Sequence, residues 1–102
     1  VRGPDVLIRR GGEEFLLLMP STSMPEASAV AERIRAAVSA EPIPTAAGDV
    51  TITVSIGVAT WQADEDGGAT ESRADTALYR AKETGRDRVV SERDLDERPP
   101  GS

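Results

Sequence analysis

The sequence predicts an α+β domain over residues 1–91, with helices packed on an antiparallel-rich sheet, followed by a disordered tail over residues 92–102. Three observations predict it. Two short apolar runs meet at a Gly-Gly pair, two later segments repeat apolar residues at helical spacing, and the segment between those two alternates large and small residues with a period of two. A length of 102 residues agrees, because it suits one domain with a single modest core.

Asp5 to Arg10 (DVLIRR) and Glu14 to Met19 (EFLLLM) flank Gly11-Gly12, which reads as a β-hairpin turn whose two central residues take positive φ. Their unbroken apolar character implies strands covered on both faces. Ser23-Met24-Pro25-Glu26 starts a helix, with a Ser and a Glu able to satisfy each other's free N–H groups and Pro tolerated in the first turn. Ala27, Val30, Ala31, Ile34 and Val38 form its stripe, and Pro42 and Pro44 end it. Residues 42–49 read as a connector.

Val50, Ile52, Val54, Ile56 and Val58 then alternate with Thr51, Thr53, Ser55, Gly57 and Ala59, a strand whose small-residue face lets a helix or a ligand come close. Gln62 to Glu71 reads as an acidic loop. Ser72 with Asp75 starts a second helix, whose stripe is Ala74, Ala77, Leu78 and Ala81 and which Gly85 ends in the left-handed conformation. Arg88 to Ser91 closes the fold as a short strand, and the charged, Pro-rich segment from Glu92 onward is the tail. Two helices suffice for one face of a four-stranded sheet and are few for both. With a first residue Val1 rather than Met, the chain is expected to be the downstream part of something longer.

Composition excludes several functions. Lys and Arg number 12 against 18 Asp and Glu, a net charge of -6, which argues against a binder of nucleic-acid polymers or anionic membranes. Phe15, Trp61 and Tyr79 are the only aromatics, too few for a base-stacking platform. With no His and no Cys, thiol nucleophiles, Ser-His-Asp triads, zinc sites and disulfides are out. Chemistry falls to carboxylates, Arg, one Lys, hydroxyls and backbone, with a hard metal. The longest apolar run, Phe15 to Met19, is far short of the roughly 20 residues of a membrane span, so the chain is expected to be cytoplasmic.

Three features could carry that chemistry. Arg9-Arg10-Gly11-Gly12-Glu13-Glu14-Phe15 offers a backbone that can approach a phosphate closely and, in Glu13, a hard oxygen ligand; taken alone, such a turn is most simply a soluble hairpin tip. Lys82 and Arg86 lie four apart at a helix end, an arrangement that fits either a phosphate clamp or plain complementarity to the helix dipole. Arg2-Gly3-Pro4-Asp5 sets a cation and an anion across a tight turn and by itself carries almost no signal.

Together they carry one. RRGGEEF on a hairpin, Ser55-Ile56-Gly57-Val58-Ala59 on a strand and ADTALYRAKETGRDRV on a final helix, in this order and spacing, resemble the GGDEF family of diguanylate cyclases from Arg2 to about Val89. The resemblance implies a palm-like nucleotidyl cyclase fold and the condensation of two GTP into cyclic di-GMP, a bacterial second messenger, with release of pyrophosphate. It further implies catalytic carboxylates at Glu13 and Glu14, with Glu13 binding Mg²⁺ (or Mn²⁺) and Glu14 in a supporting role. Gly11 and Gly12 would let the hairpin approach GTP, and Lys82 and Arg86 would hold its phosphates. Arg2, Asp5 and Arg33 match an inhibitory RxxD product site, and a homodimer would bring the two GTP molecules together. In-line phosphoryl transfer of this kind needs a metal and cations more than a nucleophilic side chain.

Two residues depart from the family pattern: Arg10 stands where an aromatic is usual, and Asp87 where Asn is common. The family's upstream half, with a first strand carrying another metal-binding aspartate, has no counterpart in these residues, so the chain alone is expected to be inactive. The alternative is a degenerate cyclase domain that serves as a cyclic di-GMP receptor.

Overall fold

The Gly-Gly hairpin is present in the computed structural model, which describes residues 5–20, 22–61 and 65–95, but its turn is built differently from expectation. β1 (Val6–Gly11) pairs antiparallel with β2 (Glu14–Pro20), in register at Ile8 with Leu16 and at Arg9 with Phe15, and then shifts so that Gly11 faces Glu14. Arg10 is the extra residue of a bulge, which bends the strand and absorbs part of the reversal. Neither Gly11 nor Gly12 needs positive φ; among the described residues only Gly48, Gly85, Arg86 and Asp87 adopt it. The Arg9 guanidinium closes the turn by donating to Gly11 O (3.0 Å) and Gly12 O (3.1 Å).

α1 (Met24–Ala40) begins where the sequence places it, with Ser23 Oγ accepting from Glu26 N at 3.4 Å and Pro25 in the first turn. It buries Ala27 and Ala31, packs Val30 and Ile34 partly, and leaves Val38 exposed. The expected connector holds a two-stranded arm instead, β3 (Ile43–Thr45) antiparallel to β4 (Gly48–Val50), turned with Gly48 at φ +118°. Val50 therefore belongs to the arm. The long strand, β5 (Ser55–Trp61), starts five residues later than its alternation suggests. The same alternating residues serve two elements, because residues 51–54, which belong to neither, separate arm from sheet.

β5 pairs parallel with β2 on one side and with β6 (Val89–Ser91) on the other, giving the order β1-β2-β5-β6. The chain is α+β as expected, with one antiparallel and two parallel pairings in its main sheet among the described residues. Each helical crossover returns the chain in the same direction, which sets the parallel pairs.

The helices lie on opposite faces, one to each, so two helices do cover both sides of the sheet's centre. Leu17, Met19, Ile56 and Val58 meet Ala27 and Ala31 of α1. Leu16, Leu18 and Ala59 meet Ala74 and Leu78 of α2 (Gly67–Glu83) on the other face. This is the period of two at work, and it explains why β2 is apolar throughout. α2 starts five residues before the expected Ser72. Asp66 caps it by accepting from Gly68 N at 3.1 Å, and the glycines that read as loop form its first turn.

The small face of β5 does admit a helix. A Cβ on Gly57 would sit 2.5 Å from Leu78 N and 2.9 Å from Leu78 Cα, so α2 rests directly on the strand backbone. After β6, Glu92–Leu95 forms a 3-10 turn in which Glu92 accepts from Thr60 N at 3.2 Å and pairs with Arg73. The first four residues of the expected tail thus pack on the body, and residues 96–102 lie outside the described set.

Candidate functional site

Glu14, at the start of β2, faces α2 across the sheet end. Its Oε1 lies 3.3 Å from Lys82 Nζ and its Oε2 3.4 Å from Arg86 Nη1. The hairpin and the cation pair, far apart in the sequence, are brought to one place. A single carboxylate between two cations leaves the trio with one net positive charge, which favours a polyanion beside it. Gly11 shapes the same spot: a Cβ there would sit 2.9 Å from Glu14 Oε1, so glycine lets the carboxylate lie back against β1. Above Gly12 nothing lies within 4 Å of such a Cβ, leaving the turn open to a ligand.

Glu13 sits in the turn beside Gly12 with an exposed side chain that pairs with no described cation. Glu13 and Glu14 thus have separate environments, one in the turn and one on the strand. Among the described residues no three of His, Cys, Asp or Glu cluster to cage a metal. Glu13 remains one hard donor, which suits a metal such as Mg²⁺ that takes one or two carboxylates and completes its shell with water and phosphate oxygens.

A cleft of about 300 Å³ runs along α2 from this trio, lined by Arg10, Glu14, Asp75, Leu78, Tyr79 and Lys82. Arg10, the bulged residue, pairs with Glu71 and lies 3.5 Å from Asp75. The hairpin is therefore pinned to α2 at two points. Sequence reasoning missed Arg10, Glu71 and Asp75 as a group. Glu71 and Asp75 are four apart on one helix face, a signal hidden by taking residues 62–71 as loop.

The segment carrying Arg86 has an unusual backbone. Gly85 (φ +130°), Arg86 (φ +62°) and Asp87 (φ +47°) are consecutive positive-φ residues, and each non-glycine in that region costs roughly 1–2 kcal/mol. Gly85 ends α2 as expected, with Arg86 N donating to Ala81 O at 2.9 Å, and a Cβ on it would collide with the Arg88 guanidinium. Asp87 N donates to Ser55 Oγ at 3.2 Å, and Arg35 Nη1 lies 2.8 Å from Asp87 Oδ1. Arg35 also binds Glu32; hydrogen bonds to Glu32 and then Asp87 raise its pKa beyond the usual arginine value, and the same bond lowers that of Glu32.

Arg2 lies outside the described residues, Asp5 is exposed just before β1, and Arg33 is exposed on α1; no ion pair joins Asp5 to Arg33.

Comparison with known proteins shows the family. Residues 1–88 match the family described as "Diguanylate cyclase, GGDEF domain". Diguanylate cyclase DgcP of Pseudomonas aeruginosa is 44% identical over 89 residues, which are 87% of this chain and 13% of that protein. Response regulator PleD of Caulobacter vibrioides is 43% identical over 93 residues, 88% of this chain and 20% of that protein. The chain thus spans a fifth or less of these two relatives. Among solved structures, the GGDEF domain of DgcB from Caulobacter crescentus in complex with c-di-GMP superposes with a TM-score of 0.63 at 34% identity, covering 70% of this chain and 42% of that one.

Proposed function

Because the chain belongs to the GGDEF family of diguanylate cyclase domains, we propose that it forms the part of such a cyclase that binds the phosphates of GTP and contributes one metal ligand to the synthesis of cyclic di-GMP. The observation that carries this reading is the meeting of Glu14 with Lys82 and Arg86, 3.3 and 3.4 Å away. Lys82 and Arg86 offset part of the triphosphate charge, and Glu14 holds both cations in place before substrate arrives. Pre-set cations of this kind stabilise charge that builds up as pyrophosphate leaves.

Glu13 is the metal ligand, its carboxylate exposed beside the open turn at Gly12. Mg²⁺, or Mn²⁺, bound there supplies Lewis-acid polarisation of the α-phosphate and a lowered pKa for the attacking 3′-hydroxyl. One carboxylate makes an incomplete site, so the 102 residues alone turn over no GTP. In the active protein two such domains meet as a homodimer, each presenting one GTP, in the cytoplasm where GTP is available. Arg2, Asp5 and Arg33 form the inhibitory product site, in which arginine forks suit guanine edges and phosphates.

The test is GTP turnover by the whole protein that contains this chain. Conversion to cyclic di-GMP with Mg²⁺ present, reduced about a hundredfold or more by Glu13→Gln, supports the cyclase. Binding of cyclic di-GMP without consumption of GTP would overturn it in favour of a receptor.

A further inference from the structure

Arg86 is exposed on a backbone that its own residue type disfavours, with Asp87 in the same conformation beside it. Such a run persists only where its surroundings over-determine it. The surroundings here are specific. Asp87 is gripped from two elements: its N–H donates to the hydroxyl of Ser55, which is 3% exposed at the start of β5, and its carboxylate lies 2.8 Å from Arg35 Nη1 of α1. The flanking backbone is held as well, since Arg88 Nε donates to Arg86 O at 3.0 Å and Ile56 N donates to Arg88 O at 3.0 Å. The Arg35 side chain is itself only 22% exposed and is fixed by Glu32 one turn earlier on α1. Ser55 also sits beside Glu14 in the β2–β5 register, whereas Arg35 belongs neither to the Glu14 trio nor to the cleft lining. Ser55 and Arg35 converge on the residue next to Arg86.

We propose that Arg35 and Ser55 are positioning residues for substrate binding: by clamping Asp87 they hold the left-handed turn that aims the Arg86 guanidinium at the GTP phosphates. The inference rests on the proposed role of Arg86 and adds two residues that act on it through Asp87. It also gives α1 a physical handle on the phosphate site, because a shift of α1 moves Arg35 and, through Asp87, Arg86. Asp87 suits its place on the same grounds, since a short carboxylate tolerates the left-handed region and presents an acceptor to Arg35.

Steady-state kinetics of the whole cyclase test this, with Arg86→Ala as the reference variant. Arg35→Ala and Ser55→Ala are expected to raise the KM for GTP about tenfold, as loss of a charge-assisted or buried hydrogen bond would, while kcat stays within about twofold. Arg35→Lys restores part of the loss, and Asp87→Asn, which keeps both the backbone and an acceptor, keeps most of the affinity. The double variant Arg35→Ala/Arg86→Ala binds GTP no more weakly than Arg86→Ala alone, because both act through one side chain. Thermal melting of each variant separates a lost fold from a lost aim. An unchanged KM in Arg35→Ala, or a loss additive with Arg86→Ala, overturns the positioning role while leaving the cyclase reading intact. An unchanged KM in Arg86→Ala overturns both.

Discussion

The two helices have the same length, 17 residues each, yet they are held to the sheet in different ways. α2 buries five residues, Thr70, Ala74, Ala77, Leu78 and Ala81, and rests on Gly57, where no side chain separates it from the strand. α1 buries two, Ala27 and Ala31, and Arg35 ties it to Asp87 after α2. The difference teaches a division of labour. The helix that carries Lys82 is seated by close packing, which tolerates little displacement. The helix that carries Arg33 and Arg35 buries fewer side chains, so small shifts of it cost less packing.

The contrast can be broken most severely at Gly57. Gly57→Ala puts a Cβ into the backbone of α2 and is expected to destabilise the fold by about 3 kcal/mol or more, measured by urea unfolding, since the obstacle is main chain that cannot rotate away. It is sharpened next by matched truncations. Leu78→Ala, at a 3% exposed site on α2, should cost about 3 kcal/mol, and Ile34→Ala, half-buried under α1, about 1 kcal/mol, by the same measurement. Equal losses would mean that the helices are equally seated.

The smallest effect is the electrostatic one. The hydrogen bond from Arg35 holds the Glu32 carboxyl below its ordinary 4.5, so the ionised form contributes stability above that pH and the contribution is lost as pH falls through the lowered value. Glu32→Gln should therefore melt slightly below the wild type at pH 7, with the gap narrowing as the pH falls below 4.5. A gap that stayed constant as the pH fell would show that packing, not charge, is lost.

Much of this arrangement was legible in the sequence. The Ser23 cap, the α1 stripe, the left-handed Gly85 and the approach of a helix to the small face of β5 all follow from local chemistry, and each is present. What was misread has local causes too. Val50 alternates in phase with β5 but pairs with Ile43, because period-two patterning does not say which partner a strand takes. Gly67 and Gly68 look like loop, yet an Asp cap outweighs their poor helix propensity in a first turn. Of the site, the residues matched by motif, Glu14, Lys82 and Arg86, do meet. The groups that hold them, Arg10 with Glu71 and Asp75, and Arg35 with Asp87, are long-range ion pairs to which no periodicity points.

The arm of β3 and β4 has a consequence of another kind. Residues 40–51 are exposed throughout, and the two strands pair with each other rather than with the main sheet. Nothing in the core or beside Arg86 reads the length of that arm. It is the place where the chain can gain or lose residues, or accept a spliced tag at Ala46-Ala47, at little cost to what lies on either side.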